Sequence, residues 1–314
     1  MSPPGAGDLR PPGRLNLVLA LLILVCAAAL QFAAARAQPG WITALLALAH
    51  GLLLCPSYTL LHDCEHRSFH ADRRLNDAAG QLLAWLFPCS FTFLRTTHLG
   101  HHTRNRSDGE LFDLYYPDES RAWKTFRFYW LYVGFFWTLV PLGVLAVALW
   151  PPVLKSALVH RDPSSAAMAD GLGPRHLPAI RVEVLGALLA HGVGFWALDL
   201  RWWSWGALYA GWAFCWSSTN YLAHAFSDRD TLSGAFNLSL PRWAELGLLH
   251  FNWHLAHHQH PAVSWIHLPR LGDPSRPPVP YARAWLRFWR GPRRVTQPSP
   301  RPDLDPSRPL FMES

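Results

Sequence analysis

The chain has 314 residues, of which half are hydrophobic and only 16% are charged. Because soluble proteins carry about 25% charged residues, this composition excludes an ordinary soluble domain and predicts an integral membrane protein. The formal net charge is +7, but no nucleic-acid motif accompanies the Arg residues, so we predict a surface that faces anionic lipid and no nucleic-acid partner. Five Cys without a C-x-x-C pair predict no disulfide framework.

Two apolar segments follow a Pro- and Arg-rich start at residues 1–14, which we predict to be disordered and cytoplasmic. Residues 15–35 and 41–61 are each long enough to span the hydrocarbon core, which takes about 20 residues. The first run is longer than the apolar core of a cleaved signal peptide, and the second run follows it closely. We therefore predict two membrane-spanning helices, the second of which leads directly into His62.

Residues 62–124 form a polar segment with six Arg between positions 67 and 106. Because positively charged loops stay on the inner side of a membrane, we predict that this segment is cytoplasmic. Its apolar part, residues 78–94, is short and contains Pro88, which favours a helix that lies against the bilayer over one that crosses it.

Three further apolar stretches, residues 126–150, 182–198 and 202–226, separate the first histidines from the last ones. An odd number of crossings would put His98 and His254 on opposite sides, so one of the three stretches cannot cross. We predict that 126–150 is re-entrant or interfacial because Pro141 interrupts it. Residues 182–198 and 202–224 then form a hairpin, and both chain termini lie in the cytoplasm.

The predicted fold is an all-α integral membrane protein with four transmembrane helices, interfacial helices and a cytoplasmic cap that carries the histidines. No Pro-, Gly- or Ser-rich linker divides the middle of the chain, so residues 15–270 are predicted to form one domain. Residues 271–314 are a Pro- and Arg-rich tail, which we expect to have no fixed structure after Gly291.

Three histidine clusters are the main chemical signal of the sequence. Two of them follow an H-x-x-H-H pattern, and one follows H-x-x-x-H. In a helix, positions i, i+3 and i+4 share a face, so the imidazoles of each cluster can point towards a common centre. The clusters are His62 and His66; His98, His101 and His102; and His254, His257 and His258.

A fourth pair, Asn220 and His224, lies near the end of the last apolar stretch. A histidine at the end of an apolar helix is costly without a partner, so His224 is a candidate ninth ligand, and Asn220 could hold a metal-bound water or form a hydrogen bond behind the ligands. One metal ion takes four to six donors, so eight or nine imidazoles imply two metal ions. The spacing alone leaves redox-inert zinc open. Six nearby carboxylates are candidates to orient the imidazoles: Asp63, Glu65, Asp108, Glu110, Asp113 and Asp228.

The three clusters, with their order, separations and membrane context, resemble the three histidine boxes of the membrane fatty acid desaturase superfamily. The resemblance runs from about residue 45 to 270 and includes His260-Pro261 and the segment Trp265-Ile266-His267-Leu268-Pro269. The Asn220 and His224 pair is similar to an extra ligand-and-water position of the acyl-CoA branch. The first box departs from that branch, because three residues instead of four separate His62 and His66. It is similar in this respect to bacterial and plant lipid desaturases.

The resemblance implies a non-haem di-iron oxidoreductase that uses dioxygen to desaturate an acyl chain, with the eight box histidines as catalytic ligands. The acyl chain would enter the protein laterally from the bilayer. The sequence has no G-x-G-x-x-G, iron–sulfur or haem-binding motif, which implies a separate electron donor of the ferredoxin, flavodoxin or cytochrome b5 type. The expected location is a membrane, and a bacterial inner membrane fits best, with the histidines on the cytoplasmic side.

Two other functions stay open at this point. A hydroxylase or ketolase of carotenoid, alkane or sphingolipid chains would use the same centre but leave oxygen in the product. A zinc-dependent membrane hydrolase or a metal transporter would not consume dioxygen. A transporter would also want polar ligands in mid-span, where His50 and His191 are the only ionisable residues.

Overall fold

The computed structural model describes residues 9–301, and this part of the chain is mostly helical, with very little sheet. Its helices are α1 (Gly13–Arg36), α2 (Trp41–Glu65), α3 (Arg73–Trp85), α4 (Phe91–Arg104), α5 (Arg121–Trp130), α6 (Phe136–Leu149), α7 (Ala157–His160), α8 (Pro163–Ala169), α9 (Leu177–Ala197), α10 (Trp202–Asn220), α11 (Arg242–Gly247), α12 (His254–Gln259) and α13 (Tyr281–Phe288). Its strands are β1 (Leu114–Tyr115), β2 (Leu238–Ser239), β3 (Val279–Pro280) and β4 (Arg293–Arg294). The predicted all-α membrane fold is confirmed.

Four helical segments of the described chain are long and apolar enough to cross a membrane: Gly13–Arg36, Trp41–Glu65, Arg121–Leu149 and Pro174–Ala197. The number of candidate segments agrees with the four predicted spans, but one of the segments is a different one. Length and composition select Arg121–Leu149, which we predicted to be re-entrant, and leave out α10. The contacts of Arg121–Leu149 and of α10 show which end of the bundle the two ends of each segment reach.

The segment Arg121–Leu149 bends back within the bundle. A π-helical turn, Leu131–Phe135, separates α5 from α6, and Gly134 in this turn has φ +138°, a value that side-chain-bearing residues rarely adopt. Arg127 in α5 donates a 2.8 Å hydrogen bond to Asp162, and Arg181 near the start of α9 donates one to Ala148 O at the end of α6. Both ends of the segment therefore lie at the same end of the bundle.

Helix α10 runs the full length of the bundle despite its modest hydropathy. Five of its nineteen residues are Trp, an amphipathic residue that hydropathy scales score low. It packs tightly against α2 where Gly51 and Gly211 face each other. A Cβ on Gly51 would lie 2.7 Å from Gly211 O, and one on Gly211 would collide with the Ala47 carbonyl. Such small-residue contacts are typical of helix pairs in membranes.

The two ends of the bundle are fixed by contacts between distant segments. At one end, Arg36 at the close of α1 donates to Leu198 O, next to the turn that joins α9 to α10. At the other end, Asn16 near the start of α1 donates to Phe69 O and accepts from the Trp265 indole. The second end also carries His62 at the end of α2, and we call it the histidine end. In the described chain, α1, α2, α9 and α10 connect the two ends, as predicted for four spans.

Residues 78–94 do not form the single interfacial helix that we expected. Helix α3 ends at Trp85, before Pro88, and α4 begins at Phe91, so the two helices form a hairpin. Its tip is held by side chains of the long helices: Tyr209 donates to Leu86 O, and His191 Nε2 lies 2.8 Å from Trp85 O. The tip thus satisfies its backbone carbonyls inside the bundle, as a helix end surrounded by apolar residues must.

The C-terminal tail is also more ordered than we predicted. Phe288 in α13 is fully buried and packs against Phe128. After Gly291, where we expected no fixed structure, β4 pairs with β1 in parallel, with Arg293 opposite Leu114. The prediction was wrong for Arg293 and Arg294, because strand pairing compensates for their polar character. Residues 1–8 and 302–314, which belong to the predicted disordered termini, lie outside the described part.

Candidate metal centre

The first histidine box lies at the histidine end of α2. His62 is in the last turn of the helix, and His66 caps it. Asp63 between them accepts hydrogen bonds from Ser264 Oγ at 2.6 Å and from the backbone N–H of Trp265. This contact fastens the end of α2 to the segment that follows the third box, although about 200 residues separate them.

The second box lies on α4, where the spacing of His98, His101 and His102 places all three within one and a half helical turns. The N-terminus of α4 is held by Glu183 of α9, a buried carboxylate that accepts hydrogen bonds from Ser90 Oγ, Thr92 N and Thr92 Oγ1. Glu183 was not among the predicted functional residues, although an acidic residue inside an apolar helix is itself a signal.

The third box is helical, as predicted, on the short helix α12. Asn237 Oδ1 accepts from Ala256 N and so fixes the middle of this helix. The Asn220 and His224 pair differs from the prediction. Helix α10 ends at Asn220 instead of continuing to 224, and His224 lies in the turn that follows. The turn brings its imidazole to the third box: His224 Nε2 is 2.8 Å from His254 Nε2.

Nine imidazoles converge at this end of the bundle and separate into two groups. In each group the nitrogen atoms that could bind a metal lie within 4.8 Å of one another. The larger group contains His62, His66, His98, His102 and His257, and the smaller contains His101, His224, His254 and His258. All nine histidines that we predicted as ligands are members. The groups cut across the sequence boxes, since the second and third boxes each contribute to both.

The nitrogen contacts in the larger group fit a bound cation. His98 Nε2 lies 2.8 Å from His66 Nε2 and 3.2 Å from His102 Nε2, which in turn lies 3.0 Å from His257 Nε2. An imidazole Nε2 carries either one hydrogen or one in-plane lone pair. Three successive contacts among four such atoms therefore cannot all be hydrogen bonds. A metal ion that accepts all four lone pairs removes the conflict, so the donor set fits a metal centre.

The protonation state of the imidazoles is suited to the same role. Burial and the neighbouring histidines lower the pKa of His98, His102 and His257 well below its usual value. Burial lowers the pKa of His254 to about 3. These rings are therefore neutral at physiological pH, and neutral imidazole is the form that binds metals.

Two histidines of the smaller group, His101 and His224, have partners at the second ring nitrogen that fix the ring orientation. His101 Nδ1 lies 2.5 Å from Glu110 Oε2, and His224 Nδ1 lies 3.0 Å from Gly234 O. A carboxylate or carbonyl at this position holds the hydrogen on Nδ1 and leaves the Nε2 lone pair for a metal. Of the six carboxylates predicted to orient imidazoles, Glu110 forms this hydrogen bond. Glu65 lies 4.0 Å from His98 Nδ1, beyond hydrogen-bonding distance.

The other four predicted carboxylates contact different partners. Asp63 binds Ser264, Asp108 pairs with Arg229, and Asp228 accepts from Gln297. Asp113 pairs with Arg106 at 2.7 Å, and both side chains are fully buried. Arg106 also donates to the hydroxyl of Tyr221, which precedes His224 by three residues. This buried ion pair was not predicted, because the segment from Arg106 to Asp113 forms a loop whose sequence has no periodic pattern.

An apolar cavity of about 140 Å³ borders both histidine groups. His62 and His98 of the larger group and His101, His224 and His254 of the smaller one reach its wall. The rest of the wall is mainly aromatic and includes Tyr58, Phe93, Tyr132, Phe136, Trp137, Trp216 and Phe251. Asn220 also lines the cavity. A molecule in this space would meet bound metal on one side and aromatic rings on the others.

A comparison with family models identifies the chain. The fatty acid desaturase model matches residues 39–290, which is most of the chain. The chain belongs to the fatty acid desaturase family. No curated protein matches it at a significant level. The desaturase match extends to residue 290, beyond the resemblance we saw in the sequence, and agrees with the burial of Phe288.

Family membership and geometry together establish the general character of the protein. It is an integral membrane oxidoreductase of the desaturase superfamily, and its two histidine groups have the composition of a metal-binding site. The resemblance based on the three histidine boxes is thereby confirmed.

Proposed function

We propose that this desaturase-family protein introduces a carbon–carbon double bond into the acyl chain of a lipid. The supporting observation is the contact of both histidine groups with one apolar, aromatic-walled cavity. An acyl chain in this cavity would present two adjacent CH2 groups to the metal centre. Each buried CH2 contributes about 0.8 kcal/mol to binding, so the cavity can hold the chain without a charged anchor.

We assign two iron ions to the two groups. One ion would be held by His62, His66, His98, His102 and His257, and the other by His101, His224, His254 and His258, with Asn220 contributing through a water molecule. The number of imidazoles supports two ions. One group has five and the other has four, and one metal ion takes four to six donors. Iron bound there would supply the activation of dioxygen.

The residues of the chain would orient the substrate and keep water away. Phe93, Phe136 and Trp216 confine the acyl chain sideways, while Glu110 and the Gly234 carbonyl hold two ligands in a fixed tautomer. The overall reaction balances as one acyl CH2–CH2 unit, one dioxygen, two protons and two external electrons giving one CH=CH unit and two waters. The two external electrons require a donor, for which we propose a ferredoxin, a flavodoxin or a cytochrome b5-type protein on the cytoplasmic side.

The decisive experiment is expression of the chain with an electron donor in a host whose lipids are then profiled by mass spectrometry. We expect a lipid that has lost two hydrogens, and no such product from a His101→Ala variant. A product that has gained one oxygen would make the protein a hydroxylase or ketolase. Bound zinc without dioxygen consumption would exclude both activities.

A further inference from the structure

A buried hydroxyl lies where two segments of the smaller histidine group meet. Tyr221 follows α10 directly and is only 6% exposed. Its hydroxyl accepts a hydrogen bond from Arg106 and lies 2.9 Å from Glu110 O and 3.0 Å from Asp113 Oδ1. A tyrosine hydroxyl has one hydrogen, so it donates to one of these two oxygens while it accepts from the guanidinium. The hydroxyl is therefore both a donor and an acceptor in the same buried network.

The two segments are joined at further points around this hydroxyl. Asp113 Oδ2 accepts from the backbone N–H of Phe226, and Arg106 donates to Ser227 O. Both partners belong to the turn that carries His224. This turn is therefore tied to the loop that contains Arg106 and Asp113 by buried side chains. The segments keep one relative position because a buried polar group without a partner is costly.

Each segment carries a component of the smaller group. The turn carries His224, whose Nε2 lies 2.8 Å from His254 Nε2. The loop carries Glu110, whose carboxylate lies 2.5 Å from His101 Nδ1. A displacement of the turn relative to the loop would move His224 and the partner of His101 at the same time. Tyr221 belongs to the turn and binds the loop, so its hydroxyl helps to fix that displacement.

The first box, in the larger group, is fixed by different contacts. Asp63 lies inside this box and accepts from Ser264 Oγ and from the backbone N–H of Trp265. These contacts join the end of α2 to the segment after α12, and they involve neither the turn nor the loop. Loss of the Tyr221 hydroxyl should therefore change the smaller group without loosening the first box.

We propose that Tyr221 is a positioning residue of the smaller histidine group, and that its hydroxyl raises the affinity of this group for a metal ion while it leaves the larger group unchanged. The inference rests on the proposed function for the presence of two metal ions, but it concerns metal binding and not the reaction. Contacts that hold a ligand from behind typically change metal affinity about 10–100-fold, and we expect an effect of this size from the hydroxyl.

Metal retention tests the proposal without dioxygen or an electron donor. The full chain and its Tyr221→Phe variant are loaded with Fe(II) in the absence of oxygen, and bound iron is measured at increasing chelator concentration. We expect Tyr221→Phe to release one of its two ions at a chelator concentration about 10–100-fold lower than the unmodified chain requires, and to hold the other ion as tightly. Release of both ions together, or release like that of the unmodified chain, would overturn the proposal.

Tyr129→Phe is the matched control. The Tyr129 hydroxyl also donates to a backbone carbonyl, Trp289 O, at 2.9 Å, but this contact joins α5 to the residue that follows α13. We expect Tyr129→Phe to release both ions as the unmodified chain does. If this variant also releases one ion at the lower chelator concentration, the loss of any tyrosine hydrogen bond is sufficient and the positioning role is refuted.

Double variants show which group releases its ion. His257→Ala removes a member of the larger group, and His254→Ala removes a member of the smaller one. With Tyr221→Phe added, the His257→Ala chain should lose its remaining ion at the lower chelator concentration, whereas the His254→Ala chain should keep its ion. The reverse result would place the effect in the larger group and contradict the proposal.

Co(II) bound to the His257→Ala chain gives a readout of geometry. Its ligand-field absorption depends on the arrangement of the donors, so Tyr221→Phe should shift these bands and Tyr129→Phe should not. A hydroxyl that served only the stability of the fold would lower the melting temperature and leave the Co(II) spectrum unchanged, which would also refute the positioning role.

The outcomes separate this inference from the proposed function. If Tyr221→Phe selectively releases one ion but the unmodified chain forms no new double bond in lipid, the reaction is refuted and the positioning role stands. If the unmodified chain desaturates lipid but Tyr221→Phe and Tyr129→Phe release iron alike, the positioning role is refuted and the reaction stands. An unmodified chain that retains no metal would overturn both.

Discussion

His257 Nε2 and His102 Nε2 lie 3.0 Å apart, although 155 residues separate them in the chain. Their contact joins the short helix α12 to α4 and completes the larger histidine group. In the same two helices, the neighbouring His258 and His101 turn to the smaller group. Adjacent residues of one box therefore belong to different histidine groups.

This division predicts that single substitutions remove one metal ion selectively. Unmodified protein loaded with Fe(II) should contain about two iron ions per chain, whereas His257→Ala and His254→Ala should each retain about one. The measurement is iron and protein content after gel filtration. His160→Ala, an exposed histidine outside both groups, should keep the full content. Loss of both ions in every variant with an unchanged helical spectrum would contradict two separable positions.

Glu110 should tune the affinity of the smaller group for metal through His101. Removal of a carboxylate behind a ligand histidine typically lowers metal affinity about 10–100-fold, so Glu110→Ala should release iron to a chelator at a correspondingly lower chelator concentration. Glu110→Gln should lose less, because its amide oxygen can still accept from Nδ1–H. Equal loss in the two variants would show that the negative charge of Glu110 sustains the affinity, and not a neutral hydrogen-bond acceptor of the same shape.

Removal of one member of the buried pair of Arg106 and Asp113 should destabilise the fold more than removal of an exposed charge. Asp113→Ala leaves the guanidinium of Arg106 uncompensated, which typically costs about 3–5 kcal/mol. With about 2–4 °C per kcal/mol, the melting temperature in detergent should fall by roughly 10 °C. Asp118→Ala, an exposed acidic residue in the same loop, should change it little.

A double variant tests whether the lost charge is the cause. Arg106→Met together with Asp113→Leu removes both charges, and it should recover part of the lost melting temperature. If the double variant melts below the single one, then the hydrogen bonds of Arg106 to Tyr221 and Ser227 O dominate instead.

The return of Arg121–Leu149 to the histidine end predicts a labelling pattern in oriented membranes. Asp118 and Lys155 flank the segment, both exposed, and Asp199 is exposed in the turn between α9 and α10. In a cysteine-free background, Asp118→Cys and Lys155→Cys should react with an impermeant maleimide from the same side, and Asp199→Cys from the other. Reaction of Asp118→Cys and Lys155→Cys from opposite sides would show that the segment crosses the membrane.

Much of this protein follows from local sequence patterns. Helical spacing placed the histidines of each box on one face, and the length of the apolar runs located four helices that connect the two ends of the bundle. Parity required an even number of crossings between His98 and His254, which fits the turn at Gly134. These inferences succeed because helix geometry and burial in lipid act on contiguous residues.

The tertiary structure decided what depends on contacts between distant segments. In the folded protein, the nine imidazoles form one group of five and one of four, and α10 ends at Asn220. Of the six candidate carboxylates, Glu110 is the one that forms a hydrogen bond with His101. The tertiary structure also gave the residues after Gly291 a strand partner in β1. Residues three and four positions apart on a helix point in directions that differ by only part of a turn. Which histidine group each imidazole joins is therefore set by how the helices pack, and the sequence of one helix alone does not contain that information.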